Sequence, residues 1–268
     1  MANAQAAHET AKEVPRRTTI DPDEVAKFGA LAAEWWDPFG PFKPLHKFNP
    51  VRLGLIRDEV CRHFDRDRFA RRPLEGLRLL DIGCGGGLVA EPMARLGAEV
   101  TAIDAAERNV KTAMAHAQAS KLDIDYRATT VEALADTMLA DEGEPPFDIV
   151  LNLEVVEHVA DVGLFLEQSA RLLAPGGLMG LATINKTVRS LLTAKIGAEY
   201  VLRWLPRGTH DWSKFIRPED AEDALEDAGL TVTRRAGLRY LPVLDSWSVG
   251  DDMGVNYMLF ARKPIGPA

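Results

Sequence analysis

At 268 residues and 46% hydrophobic, the chain can bury one large core or two small ones. Its formal net charge of −8 argues against a nucleic-acid-binding face, and its two cysteines, Cys61 and Cys84, offer neither a disulfide framework nor a zinc spacing. There is no run of about 18 apolar residues and no apolar leader core, so a reducing, cytoplasmic setting without a membrane span is expected.

Residues 1–20 are polar, alanine-rich and aperiodic, and read as a disordered tail ahead of a single domain over 21–268. Asp21-Pro22-Asp23-Glu24 predicts a helix start, with Asp21 as N-cap and Glu24 completing a capping box. Val25, Phe28, Leu31, Ala32 and Trp35 then share one face. Three prolines between Trp35 and His46 argue against regular structure there, while Trp35, Trp36, Phe39 and Phe42 make the stretch too apolar for an exposed loop, so it should line or cover a pocket. A second helix is predicted over 51–70 with Arg52 near its start, completing an N-terminal helical cap over 21–75.

The run 79–82 predicts a buried strand that breaks into Gly83-Cys84-Gly85-Gly86-Gly87. A helix carrying Leu88, Val89, Met93 and Leu96 follows, and a second strand finishes at Asp104. A helix over 107–120, a third strand over 125–130, a loop over 141–146 and a nearly all apolar fourth strand over 147–154 come next. A helix over 161–173 stops at Pro175-Gly176-Gly177, ahead of a fifth strand over 178–184. Residues 185–216 interrupt this rhythm as a helical insertion mixing Leu191, Tyr200 and Trp204 with Arg189, Lys195, Arg203 and Arg207. It reads either as a lid or as a surface touching anionic lipid. A helix from Arg217-Pro218 and strands over 230–240 and 255–263 close the chain. The expected fold is α/β: one doubly wound, mostly parallel, Rossmann-like sheet of about seven strands.

A dinucleotide fingerprint requires a third glycine where Leu88 stands; D-x-G-x-G-x-G led by Asp81 stands instead. A carboxylate at Asp81 would repel a pyrophosphate but suits the ammonium of an amino acid. Gly83 and Gly85 let a ligand approach backbone, and Asp104 falls where a ribose diol would be held. An ammonium at one end and a nucleoside at the other describe S-adenosylmethionine, with Glu132 and its neighbours near the adenine. Past the fourth strand, Glu154, Glu157 and His158 share one face if their turn is helical. A phenol with a pKa of about 10 needs help to become a nucleophile. Either His158, beside Glu157, removes its proton, or a divalent metal on Glu154, Glu157 and His158 acidifies it. A nicotinamide oxidoreductase, an RNA or protein methyltransferase and a non-catalytic cofactor-binding module are the rivals. The first is disfavoured by Asp81 and Leu88, and the second by the acidic balance and by Asn152-Leu153-Glu154-Val155 where an Asn-Pro-Pro-aromatic element would stand.

LLDIGCGGG, Asp104, LNLEVVEHV and LLAPGG resemble the class I S-adenosylmethionine-dependent methyltransferases. KFGALAAEWWDPFGPFKPLHKFNPVRLGLI, LRWLPRGTHDWSKFI and VNYML resemble, more narrowly, the ubiquinone biosynthesis O-methyltransferase family, over residues 21–262. The resemblance implies two O-methylations, of 2-polyprenyl-6-hydroxyphenol and of 3-demethylubiquinol. It implies Arg52, Gly83, Asp104 and Leu153 as cofactor contacts, Leu153 standing where many members carry methionine, and magnesium on Glu154, Glu157 and His158. It also gives the aromatic segment and the 185–216 insertion a purpose, as a groove for a polyprenyl tail and a peripheral contact with the inner membrane beside other enzymes of the pathway.

Overall fold

The computed structural model describes residues 17–140, 144–190 and 212–266. The apolar run after Leu77 forms β1 (Arg78–Ile82), buried on both faces beyond its first residue. It lies between β2 (Glu99–Asp104) and β4 (Phe147–Leu153), with β3 (Asp125–Ala128) and β5 (Leu173–Ile184) continuing the parallel part outward. β6 (Thr231–Leu241), β7 (Ser246–Gly250) and β8 (Asn256–Arg262) add an antiparallel extension, and the strand order is β3-β2-β1-β4-β5-β8-β6-β7. The described sheet therefore has eight strands, not seven. The extra one, β7, is a five-residue edge strand, SWSVG, too short and too polar to stand out as a period-2 run.

Alternate residues of β1 face two cores. Leu79 packs toward α2 (Lys43–His63), α3 (Ala90–Arg95) and α4 (Glu107–Ala119). Leu80 and Ile82 pack toward α5 (Val131–Ala140), α6 (Val162–Leu172) and, at the C-terminal end of the chain, α8 (Pro218–Asp227). Each such fully buried side chain contributes about 1.5–3 kcal/mol against chain entropy. The sheet order turns back at β1, since the chain leaves it for β2 on one side and reaches β4 on the other, so the crevice lies at the C-terminal ends of β1 and β4.

The N-terminal part departs from expectation in three ways. Residues 17–20, expected to belong to a disordered tail, are placed against the fold: Thr19 is buried, and Arg17 pairs with Asp161. α1 (Pro22–Ala30) is capped by Asp21 as expected, but it stops at Ala30 and a 3-10 turn, Ala32–Glu34, follows. α2 begins inside the proline-aromatic segment, at Lys43, because Pro44 occupies its first turn, where a missing N–H costs nothing. Pro50 also lies within that helix, which ends at His63, short of the expected 70. Trp35, Phe42, Pro44 and Leu45 of the segment nevertheless line a cavity of about 340 Å³, as foreseen, whereas Phe39 is 85% exposed. Trp35 stacks on Phe42 with ring centroids 3.7 Å apart, and Trp36 stacks on His116 at 3.5 Å.

β5 likewise starts at Leu173, and Pro175-Gly176-Gly177 is absorbed as an irregularity in its pairing with β4. α7 (Val188–Ser190) is a single turn at the start of the 185–216 insertion; residues 191–211, with the apolar and basic residues that suggested a lid, lie outside the described residues, as do 1–16 and 141–143.

Candidate active site

Two cavities, of about 340 and 140 Å³, share Phe28, Trp35, Gly83, Glu154 and His158 in their walls at the mouth of the crevice. Of the expected site residues, Arg52, Asp81, Gly83, Leu153, Glu154, Glu157 and His158 line the larger cavity, and Gly83, Gly85, Asp104, Glu154 and His158 line the smaller. Glu132 lines neither. Its Oε1 accepts from the backbone N–H of Thr19 and the hydroxyl of Thr18, tying down the chain's first described residues, and Thr130 and Val131 reach the smaller cavity instead.

The end of β1 places Asp81 in the wall of the larger cavity at 2% exposure, with its Oδ2 buried and without a hydrogen-bond partner. Burial pushes the carboxyl up to about 7 against the pull of Arg52, with Asp104 adding to the rise. An orphaned acceptor of this kind is costly until a donor arrives, and a cationic donor is favoured most. Arg52, itself buried, donates to Glu154 Oε1 at 3.2 Å and to Asn49 Oδ1 at 2.6 Å, while its Nε is unpartnered.

The glycine loop is held against the N-terminal aromatics. A Cβ on Gly85 would lie 2.4 Å from Trp35 Cζ2, so only glycine lets this tryptophan cover the loop. Trp36 Nε1 donates to the carbonyl of Gly86 at 2.8 Å, and Trp35 Nε1 to Asn109 Oδ1 at 3.0 Å. Asp104, at the end of β2, accepts from Gly85 N at 2.9 Å on Oδ2, and from Ala106 N at 2.8 Å and Asn109 Nδ2 at 3.2 Å on Oδ1. Burial raises its pKa, opposed by those same donors. A carboxylate offers about four lone-pair sites, so about one remains, on Oδ2.

β4 delivers Glu154 in the left-handed backbone region, at φ +57°, a strained conformation for a side chain of this size and a mark of functional ground. Burial and the neighbouring Glu157 carboxylate push its pKa up. The turn that follows is a 3-10 turn, Val156–His158, rather than α-helix. Glu157 Oε2 accepts from the Thr183 hydroxyl at 2.8 Å, and His158 Nδ1 sits 3.1 Å from Glu24 Oε2. Each member of the expected magnesium set thus has a protein partner of its own: Arg52 for Glu154, Thr183 for Glu157 and Glu24 for His158. Among the described residues no group of three His, Cys, Asp or Glu side chains is arranged to hold a metal ion. The magnesium reading finds no support in this arrangement: Glu154 and Glu157 lie together in the wall of the larger cavity, but the His158 imidazole is engaged by Glu24.

Sequence reasoning missed Glu24, Asn49, Asn109 and Thr183. Glu24 carried a signal that pointed elsewhere, the capping box. The other three are single polar residues whose partners come from distant elements.

A methyltransferase-domain family model matches residues 55–235. Two curated relatives, both called ubiquinone biosynthesis O-methyltransferase, are similar over nearly the whole chain. The protein from Chelativorans sp. strain BNC1 is 59% identical over 94% of this chain and 98% of its own, and that from Brucella ovis is 57% identical over 92% and 98%. Among solved structures, the magnesium protoporphyrin IX methyltransferase of Synechocystis PCC 6803 with bound SAM aligns with a TM-score of 0.59 at 16% identity, covering 92% of this chain and all of that one, which is a likeness of fold. The chain belongs to the ubiquinone biosynthesis O-methyltransferase family of S-adenosylmethionine-dependent enzymes.

Proposed function

We propose that the chain methylates a phenolic hydroxyl of a polyprenylated acceptor, 2-polyprenyl-6-hydroxyphenol or 3-demethylubiquinol. The smaller cavity would take the nucleoside of S-adenosylmethionine and the larger one its methionine end together with the acceptor. The observation that carries this reading is the position of His158 in the walls of both cavities, where methyl donor and acceptor must meet. Asp81 would receive the ammonium and Asp104 a ribose hydroxyl. Arg52 would keep Glu154 in place, and the carboxylates of Glu154 and Glu157 suit a cationic donor. The acceptor's apolar body would lie against Phe48, Leu45, Leu153, Leu238, Pro242 and Trp247.

In the reaction, His158 takes the proton from the phenol as its oxygen attacks the methyl carbon. The carbon–sulfur bond breaks, its electron pair neutralises the sulfonium, and the proton leaves later to solvent. Much of the remaining rate comes from holding oxygen, methyl and sulfur in line. His158→Gln should lower kcat by about 10²- to 10⁴-fold while leaving S-adenosylmethionine affinity near wild type. The test is transfer of a labelled methyl group to a short-chain demethylubiquinol, read alongside calorimetric binding of the cofactor. Wild-type turnover in the variant would remove His158 from the mechanism, and no transfer to any such quinol by the wild type would remove the acceptor assignment.

No helix among the described residues is long and apolar enough to cross a membrane. So apolar an acceptor still has to be collected from a bilayer, and we infer peripheral contact with a membrane, beside other enzymes of the same pathway, through the 185–216 insertion. The full chain should float with anionic liposomes and a chain lacking 189–207 should not. Equal flotation of the two would place the contact elsewhere, and none by either would end this reading.

A further inference from the structure

The geometry points to Glu24 as the positioning residue of the site: its carboxylate holds His158 with the ring proton on Nδ1, leaving the Nε2 lone pair for the acceptor hydroxyl. This rests on the proposed base role of His158. Glu24 Oε2 lies 3.1 Å from His158 Nδ1. An ionised carboxylate only accepts, so a neutral imidazole must present N–H to it and carry its lone pair on the other nitrogen. The placement of that proton follows from this pairing.

Several contacts fix the pair. His158 N donates to the carbonyl of Val155 at 2.8 Å, which sets the base of the side chain. The ring packs edge-on against Phe28, centroids 4.9 Å apart and planes 78° apart, so α1 supplies both the orienting carboxylate and the wall that restrains the ring. The carboxylate is itself anchored: Lys214 Nζ reaches Oε1 at 3.2 Å and Lys27 Nζ reaches Oε2 at 3.3 Å. Two ammonium groups and the His158 ring thus surround the carboxylate, an environment that favours its ionised, accepting form.

The arrangement has the logic of a base oriented by a third group. Glu24 lines the smaller cavity but not the larger, whereas His158 lines both, so Glu24 acts on the acceptor only through His158. A carboxylate 134 positions away in sequence, on the first helix of the chain, would thus set the tautomer of a side chain that follows β4. The N-terminal cap becomes part of the catalytic apparatus as well as a cover for the glycine loop.

The experiment uses the full chain with ¹⁵N-labelled histidine, at a pH of about 9 where an ordinary imidazole is neutral, with His158 assigned by loss of its signals in His158→Gln. Wild type is expected to show protonated Nδ1 and bare Nε2. Glu24→Gln, of the same shape, offers an amide that can donate as well as accept. It should move His158 toward the Nε2–H form and lower kcat by about 10- to 100-fold. KM for S-adenosylmethionine and melting temperature should stay near wild type, and Glu24→Asp should recover part of kcat. A wild-type spectrum showing the Nε2–H form overturns the inference without any variant having to fold. So does a Glu24→Gln enzyme with wild-type kcat, or one whose loss appears wholly as a raised KM or a lowered melting temperature. If the tautomer shifts as expected while His158→Gln keeps full turnover, the base role fails and the positioning contact stands, so the two failures are distinguishable.

Discussion

Asp81→Asn is expected to weaken S-adenosylmethionine binding by about 10- to 100-fold at pH 8, the worth of a buried hydrogen bond to a charged partner. The wild type should show a pH dependence that the variant lacks. The ligand-free carboxyl titrates at about 7 because burial disfavours its charge. Below that pH it is neutral and must lose a proton before it can pair with an ammonium, so cofactor affinity should rise as pH rises through 7 and level off above it. The stability of the ligand-free chain should run the other way. A carboxyl raised from its ordinary range of about 4 to about 7 by folding binds more protons folded than unfolded between those values, so its contribution declines as pH rises through that window. At pH 8 the asparagine variant should therefore melt higher than wild type without ligand, and gain less when S-adenosylmethionine is added. Calorimetry across pH 5.5 to 8.5, with melting curves at the ends, checks both signs. A variant that binds as tightly as wild type would remove Asp81 from the site.

Gly83→Val should abolish cofactor binding and turnover at any attainable concentration. Gly83 sits at φ +71°, a region that side chains rarely enter and β-branched ones least of all. Even the first added carbon would lie 2.5 Å from Val155 Cγ2. Relief by moving Val155 would disturb the turn that carries His158, and relief by moving the loop would pull Gly83 N and Cys84 N from the carbonyl of Ile103, which they reach at 2.8 and 2.9 Å. Both routes damage the site. Backbone strain of this kind costs about 1–3 kcal/mol before the clash is counted, so the chain should fold with reduced stability, and circular dichroism would separate lost binding from lost structure. Binding within tenfold of wild type would mean that the loop does not meet the ligand.

What the sequence made legible was local. The strand into Gly83, the helix after the glycines and the acid at Asp104 lie within one short stretch, where periodicity and turn chemistry dictate structure directly. Eight strands came out as seven because β7 is a short edge whose two faces differ little, and edges are specified by what they cover more than by pattern. Three prolines close together argue against regular structure, yet Pro44 stands in a first helical turn, where proline favours a helix. Glu24 shows where sequence reasoning ends. Its place three residues after Asp21 fits a cap signature, while its partners His158 and Lys214 arrive from elements 134 and 190 positions away. The same limit explains the metal reading: Glu154, Glu157 and His158 have a ligand-like spacing, and only the structure shows His158 held by Glu24 and, among the described residues, no group of three arranged for a metal ion.

The crystal structure of the full chain with S-adenosylhomocysteine tests the account most directly. The amino nitrogen is expected within hydrogen-bonding distance of Asp81 Oδ2, about 2.7–3.2 Å, with a ribose hydroxyl on Asp104 Oδ2, the adenine beside Val131 and the sulfur directed toward His158. A ligand bound in the reverse sense, with its nucleoside at Asp81, or one that leaves Asp81 Oδ2 without a donor, would contradict it.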